Sequence, residues 1–198
     1  MIVSFEQMLE KAKHGEPMVL AGAAAQDADT IKAMAAAEKA GMIRPVLVGD
    51  LSVIRRVMQE ENITFCNARL VQAADMAEAC DKAVELVRRG EADFLMKGLV
   101  DTNIFLKAIL NKETGLPVHG LLSHVMTFDT MGAYHKLMIT SDGGMVLYPT
   151  LEQKIDIIKN CLPVAKALEI EEPKVAVLCA KEKVNRKMPA TVDAAELK

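Results

Sequence analysis

Residues 93–102 read DFLMKGLVDT: a short apolar run ends in Lys97 and Gly98, and Asp101 or Thr102 stands where a following helix would be capped. In open α/β sheets, ligands sit beyond the carboxyl ends of the strands, where helix N-termini expose unpaired N–H groups and a partial positive charge. A lysine there adds a full charge, and a glycine lets a ligand approach the backbone. The chemistry this stretch suits is the holding of an anion, above all a phosphate. A helix dipole contributes only about 0.3–1 kcal/mol, so Lys97 would supply much of the binding. The alternative is a surface lysine at an ordinary strand end. Lys107, on the flank of the next helix, either reaches the same anion or snorkels to water.

Three further stretches have chemical potential. Asn185, Arg186 and Lys187 in NRKMP follow the apolar run KVAVLCA and repeat the pattern of a cationic strand end. Ser123 and His124 are the types of a nucleophile and base, but neighbours on a strand point to opposite faces, so they do not pair with each other and at most one faces a ligand. TSDGG places Thr140, Ser141 and Asp142 before two glycines, which suits either polar ligand contacts or a tight turn.

The elements that must position these groups alternate. Strand-like runs at Val19 to Ala23, RPVLVGD, ARLVQA and ADFLMKG are separated by helix-like stretches, which predicts a parallel sheet with helices on both faces. Asp50 and Asp75 cap two of the helices, and Gly41 and Gly90 close two. In the helix after Lys97, Ile104, Phe105, Ala108 and Ile109 form one apolar face, with Leu106 and Leu110 roughly opposite. That pattern predicts a helix buried on two sides or set at a subunit contact. Beyond Leu116 the pattern changes. GLLSHVMTFD and HKLMITSDGG read as two strands around a Gly-containing turn, a hairpin or a change of sheet. Domains 1–116 and 117–198 follow, the second incomplete. Thr150 and Gln153 form a capping box for a helix to about Leu168 that Pro163 should kink or split. KVAVLCA reads as another buried strand, and MPATVDAAELK as a helix from Thr191, too short to hold alone. The chain therefore looks cut short.

Composition narrows the classes. The 198 residues carry a net charge of −3 with two Tyr, five Phe and no Trp, which leaves no basic stripe or stacking platform for nucleic acid. The apolar runs are too short to cross a bilayer, and the start lacks the pattern of a signal peptide. Cys66, Cys80, Cys161 and Cys179 form neither a disulfide framework nor a zinc site, so no metal is expected and a cytoplasmic location fits. No G-x-G-x-x-G follows the first strand and no G-x-x-x-x-G-K-[ST] occurs, which removes the common dinucleotide and P-loop sites.

Taken in order, AQDAD, PVLVGD, KAVELVRRGEADFLMKGLVDT, LNKETGL, LLSHV, LEQKIDII, EEPKVAVLCA and KMPATVDAA resemble the phosphate acetyl/butyryltransferase family, most closely its phosphate butyryltransferase branch. The combination of MKGLV, LSHV and KMP is specific. The resemblance implies a three-layer αβα, isocitrate/isopropylmalate dehydrogenase-like fold of two subdomains with an interdomain cleft. It implies acyl transfer between coenzyme A and phosphate, with no metal and no permanently bound cofactor, in a homodimer or higher homo-oligomer. Substrate-binding residues would be Lys97, Gly98, Thr102, Lys107, Ser123, His124, Asp142, Asn185, Lys187 and Met188. The family's catalytic Ser-Arg and nearby Asp lie close to the end of a chain about half as long again, so they would fall beyond Lys198. Three positions depart from the family. Lys107 replaces an Arg and loses its planar fork. Residues 117–120 replace a basic RTG stretch, and Arg186 replaces a Pro. Two other readings compete: a non-catalytic CoA- or anion-binding or assembly fragment, and a nicotinamide-dependent hydroxyacid dehydrogenase on the same fold, such as 4-hydroxythreonine-phosphate dehydrogenase. The absence of a His cluster argues against the dehydrogenase.

Overall fold

The computed structural model describes residues 1–116 and 120–198. They form two compact units: Glu10–Val118, and Met1–Leu9 together with His119–Lys198. The expected boundary between residues 116 and 117, and the departure from RTG at 117–120, touch residues outside the described ones.

In the first unit β1 (Met18–Ala23), β2 (Ile43–Gly49), β3 (Arg69–Gln72) and β4 (Phe94–Lys97) form a parallel sheet in the order β3-β2-β1-β4. Four helices alternate with them: α2 (Ala28–Lys39), α3 (Leu51–Glu60), α4 (Met76–Arg88) and α5 (Thr102–Ile109). Each starts at an aspartate that accepts a backbone N–H of the first turn: Asp27 from Thr30, Asp50 from Ser52 and Val53, Asp75 from Glu78, and Asp101 from Asn103. Replacing such a cap by alanine costs about 1 kcal/mol.

Side-chain alternation loads both faces of the sheet. Ala21, Ala23, Val46 and Val48 pack with Ala79, Cys80, Ala83 and Val84 of α4. On the other face, Leu20 and Leu47 pack with Ile31 and Met34 of α2 and Ile54 of α3. Burial on both faces is why β1 and β2 read as continuous apolar runs. The fully buried Ile31, Met34, Leu47 and Ile54 each stabilise the unit by about 1.5–3 kcal/mol. Helix α5 is buried on one side only, a correction to the two-sided expectation. Ala108 is buried and Phe105 and Ile109 pack on the core, but Ile104 and Leu110 face out.

The second unit contains the antiparallel pair β5 (Met126–Phe128) and β6 (Met138–Thr140), with Met126 opposite Thr140. The expected strand over Ser123 and His124 is shorter than its apolar pattern, and both residues precede β5 in irregular backbone. Helix α6 (Leu151–Ala167) starts on the Thr150–Gln153 capping box and continues through Pro163 as one element, so it is not split. The run over residues 174–180 is a larger correction: it has no strand partner among the described residues, and Val175 and Leu178 are 57% and 89% exposed. An apolar sequence satisfies only half the condition for a strand; the other half is a neighbour that takes its N–H and C=O groups. Helix α7 (Pro189–Glu196) begins two residues earlier than expected, since proline suits the first helical position. It is not isolated, because Lys154 Nζ of α6 donates to Asp193 Oδ2 at 2.5 Å. Helix α1 (Phe5–Lys13) was not anticipated; Ile2 before it and Met8 within it pack with Leu137, Ile139, Leu168 and Ile170.

Candidate functional site

The chain runs from β1 to β2 to β3 toward one edge and returns to place β4 on the other side of β1. Connections diverge at the carboxyl ends of β1 and β4, where open α/β sheets have their crevice. The register sets Lys97 beside Ala23 at that point. Lys97 Nζ donates to Gly98 O at 3.2 Å and to Val100 O at 2.9 Å. An ammonium has three N–H donors, so one remains for a ligand while two hold the group over its own loop.

The space beside Gly98 is filled by the chain itself. A Cβ there would lie 2.3 Å from Ala24 O and 2.9 Å from Ala23 O, and Gly98 N donates to Ala23 O at 2.8 Å. Asp27 then joins the two loops: Oδ1 accepts from Thr30 N at 2.9 Å and Oδ2 from Leu99 N at 3.1 Å. Burial by itself would raise the Asp27 pKa, but the hydrogen bonds from Thr30 and Leu99 outweigh it and hold the carboxyl below its ordinary value. One amide of the expected anion site is therefore already taken by a carboxylate of the chain. Thr102 opens α5, and Lys107 lies exposed in its last turn with no hydrogen bond or ion pair among the described residues.

Ser123, His124 and Asp142, expected from two separate motifs, come together in the other unit. His124 N donates to Asp142 Oδ2 at 3.1 Å, and Ser141 Oγ donates to His124 O at 2.6 Å. Asp142 Oδ1 accepts from Gly144 N and Met145 N, both at 2.8 Å. Burial would raise the Asp142 pKa, but the amides of Gly144, Met145, His124 and Val146 outweigh that and lower it. The TSDGG turn and the LLSHV stretch thus form one knot. Ser123 Oγ accepts from Asn160 Nδ2 of α6 at 2.9 Å, and no Ser123–His124 hydrogen bond forms.

Asn185, Lys187 and Met188 form the turn into α7. Asn185 Oδ1 accepts from Lys187 N at 3.0 Å, Asn185 O accepts from Met188 N at 2.8 Å, and the one hydroxyl hydrogen of buried Thr191 is shared between Met188 O at 2.8 Å and Asn185 O at 3.1 Å. Because no strand precedes this turn, it is a helix entry and not a second cationic strand end, which corrects the expected parallel with Lys97. Lys97, Gly98, Thr102 and Lys107 belong to the first unit, and the other six candidates to the second.

A further cation-rich cleft at the β3 edge is lined by Arg69, Lys82, Arg89, Glu85 and Glu91. Its charges are matched: Arg69 pairs with Glu91 at 2.8 Å, Lys82 with Glu78 at 2.9 Å, and Arg89 with Glu85 at 2.5 Å. Sequence reasoning missed the Asp27 bridge and the Asn160 contact. For Asp27 a signal existed in the N-cap position; for Asn160 there was none, since an asparagine inside a helix is an ordinary surface residue.

A family model described as phosphate acetyl/butaryl transferase matches residues 73–198. The chain is 42% identical over 197 residues to the phosphate butyryltransferase of Clostridium acetobutylicum, covering 100% of this chain and 65% of that protein. It is 38% identical over 192 residues to the phosphate acetyltransferase of Thermotoga maritima, covering 97% and 64%. The chain therefore spans just under two thirds of the length of these relatives. A branched-chain phosphotransacylase from Enterococcus faecalis V583 has a similar structure, with a TM-score of 0.73 at 28% identity over 91% of this chain and 62% of that one. The EutD phosphotransacetylase of Staphylococcus aureus shares the fold at 14% identity, with a TM-score of 0.65 over 96% and 66%.

Proposed function

This chain belongs to the phosphate acetyl/butyryltransferase family, and from that premise we propose that it serves the reversible transfer of a short acyl group between coenzyme A and inorganic phosphate. The observation that carries the reading is the 42% identity to a phosphate butyryltransferase across the whole of this chain. The isocitrate/isopropylmalate dehydrogenase-like arrangement, a homo-oligomeric state and a cytoplasmic location are part of the same proposal.

In the reaction an oxygen of inorganic phosphate attacks the thioester carbonyl carbon. A C–O bond forms, the tetrahedral oxyanion collapses, and the C–S bond breaks. Sulfur leaves as the CoA thiolate and takes up a proton; the other product is the acyl phosphate. Residues of this chain act on charge and position. Lys97, with its remaining N–H, and the start of α5 at Thr102 lower the cost of bringing in a phosphoryl group, while Gly98 keeps the loop against β1. Lys107 adds charge on the α5 flank. In the other unit Ser123 supplies a hydroxyl and His124 a ring with no hydrogen-bond partner among the described residues; Asp142 holds that loop. Asn185, Lys187 and Met188 present the α7 turn to substrate. A donor well placed on the oxyanion is worth roughly 3–4 kcal/mol, and holding two substrates in register supplies much of the rest. The group that activates phosphate belongs, on this reading, to the part of the relatives that this chain does not span. Coenzyme A is a substrate, and no resident cofactor is required.

A thiol-release assay with acetyl-, butyryl- and branched acyl-CoA plus phosphate tests the proposal on the gene product. Turnover with at least one of them is expected, and turnover with none refutes it. A second reading, a CoA-binding or assembly module without turnover, is favoured by the chain spanning only 65% and 64% of the two curated relatives. Calorimetry showing CoA binding in the absence of turnover selects it.

A further inference from the structure

We propose that Asn160 is a positioning residue that orients the Ser123 hydroxyl so that its hydrogen is offered to an anionic substrate oxygen; this deepens the acyltransferase reading and rests on it. Asn160 sits on α6, whose start is held by the Thr150–Gln153 capping box, so its side chain is carried by a rigid element. Its Nδ2 donates to Leu121 O at 2.7 Å and to Ser123 Oγ at 2.9 Å. A backbone carbonyl only accepts, so Leu121 fixes which end of the amide faces the loop. Both hydrogens of Nδ2 are then used.

A serine hydroxyl has one hydrogen to give and two lone pairs with which to accept. Here Oγ already accepts from Asn160, so its hydrogen is directed away from α6, and it meets no acceptor among the described residues. Ser123 is half-buried, so a donor left without a partner there has a desolvation cost that a ligand oxygen removes. The oxygen types that fit are a phosphate oxygen and the carbonyl oxygen of a thioester as it becomes an oxyanion. Asn160 touches no substrate on this account; it acts through Ser123.

The test is a double-mutant cycle read in binding affinity. Calorimetry on the 198-residue chain titrates inorganic phosphate and CoA, and the tighter of the two is used for S123A, N160L and the double variant. S123A should weaken binding about tenfold, the order expected for one hydrogen bond to a charged group. N160L should weaken it about fivefold with Ser123 present and less than twofold in the S123A background, a coupling that a loop anchor would not produce. S123T, which keeps the hydroxyl, should restore the affinity relative to S123A. Equal losses from N160L in both backgrounds would mean that Asn160 only ties down Leu121, and the proposal would be overturned. If N160L does not fold, S123A decides alone: unchanged affinity overturns it. If the unaltered chain binds CoA or phosphate and the variants do not differ, only this inference fails. If it binds neither, this inference is overturned, while the thiol-release assay on the gene product decides the acyltransferase reading separately.

Discussion

Replacing Gly98 by alanine isolates what the Lys97 loop costs to build. The added Cβ would stand 2.3 Å from Ala24 O, 2.8 Å from Ala24 C and 2.9 Å from Ala23 O. These are backbone atoms at the end of β1, so relief requires moving a strand and not rotating a side chain. Overpacking of this kind costs about 1–3 kcal/mol, and the shortest contact places Gly98→Ala at the upper end. The Gly98 N–Ala23 O hydrogen bond of 2.8 Å would lengthen as the strands part, forfeiting about 1 kcal/mol more. The sum is about 3–4 kcal/mol, a large share of the 5–15 kcal/mol typical of a domain. At about 2–4 °C per kcal/mol for a chain of this size, the melting temperature should fall by roughly 6–16 °C. Gly90→Ala is the control. Gly90 has φ +71° and nothing within 4 Å of an added Cβ, so it carries only a conformational penalty, about 1 kcal/mol. Urea unfolding followed by circular dichroism reads both as shifts of the midpoint at constant slope. A Gly98→Ala protein as stable as Gly90→Ala would refute the close approach of the two strand ends.

Asp27→Asn keeps an oxygen for the α2 cap but offers no acceptor to Leu99 N–H, so it should cost about 1–2 kcal/mol at neutral pH. The Asp27 carboxyl is lowered by folding, so its contribution is complete above the ordinary carboxylate value of about 3.9 and fades as pH falls through the lower folded value. Urea midpoints between pH 7 and 3 should drop less for Asp27→Asn than for the unaltered chain, and parallel curves would refute the bridge. Pro163→Ala should stabilise the protein. An exposed proline inside α6 removes one helical hydrogen bond, and relief of about 3 kcal/mol is reduced by the greater freedom of the unfolded chain to a net of about 1–2 kcal/mol. A lower melting temperature for Pro163→Ala would show that α6 is bent to suit its neighbours.

The first unit was legible because each of its signals is local. Asp27, Asp50, Asp75 and Asp101 mark strand-to-helix turns within four residues of sequence, and the strands between them are apolar throughout because both faces are covered. The second unit depends on partners distant in sequence. His124 and Asp142 meet across 18 positions, and Ser123 and Asn160 across 37. Helix α1 escaped notice because Ser4 Oγ, which accepts from Gln7 N, is a weaker start signal than an aspartate and the helix buries none of its own residues. The run at 174–180 shows the limit in the opposite direction: its pattern predicts a strand, and the described residues place no ladder partner beside it.

The same distinction decides which cations matter. By charge count, Lys97, Arg69, Lys82, Arg89 and Lys187 are alike, and sequence pattern ranks Lys97 and Lys187 together as cationic strand ends. In the fold, Arg69, Lys82 and Arg89 are matched by carboxylates at 2.5–2.9 Å. Lys187 lies in an exposed helix entry, in the unit that lacks the parallel sheet. Lys97 alone among these five ends a strand at the point where the sheet connections diverge, and it is held by neutral carbonyls and not by an acid. Carbonyls orient an ammonium while leaving its net charge intact; a carboxylate cancels it. Lys97 therefore keeps both a defined direction and a full charge to offer. On the proposed reading, that combination is what suits Lys97, and not a cation already neutralised within the fold, to a phosphoryl oxygen.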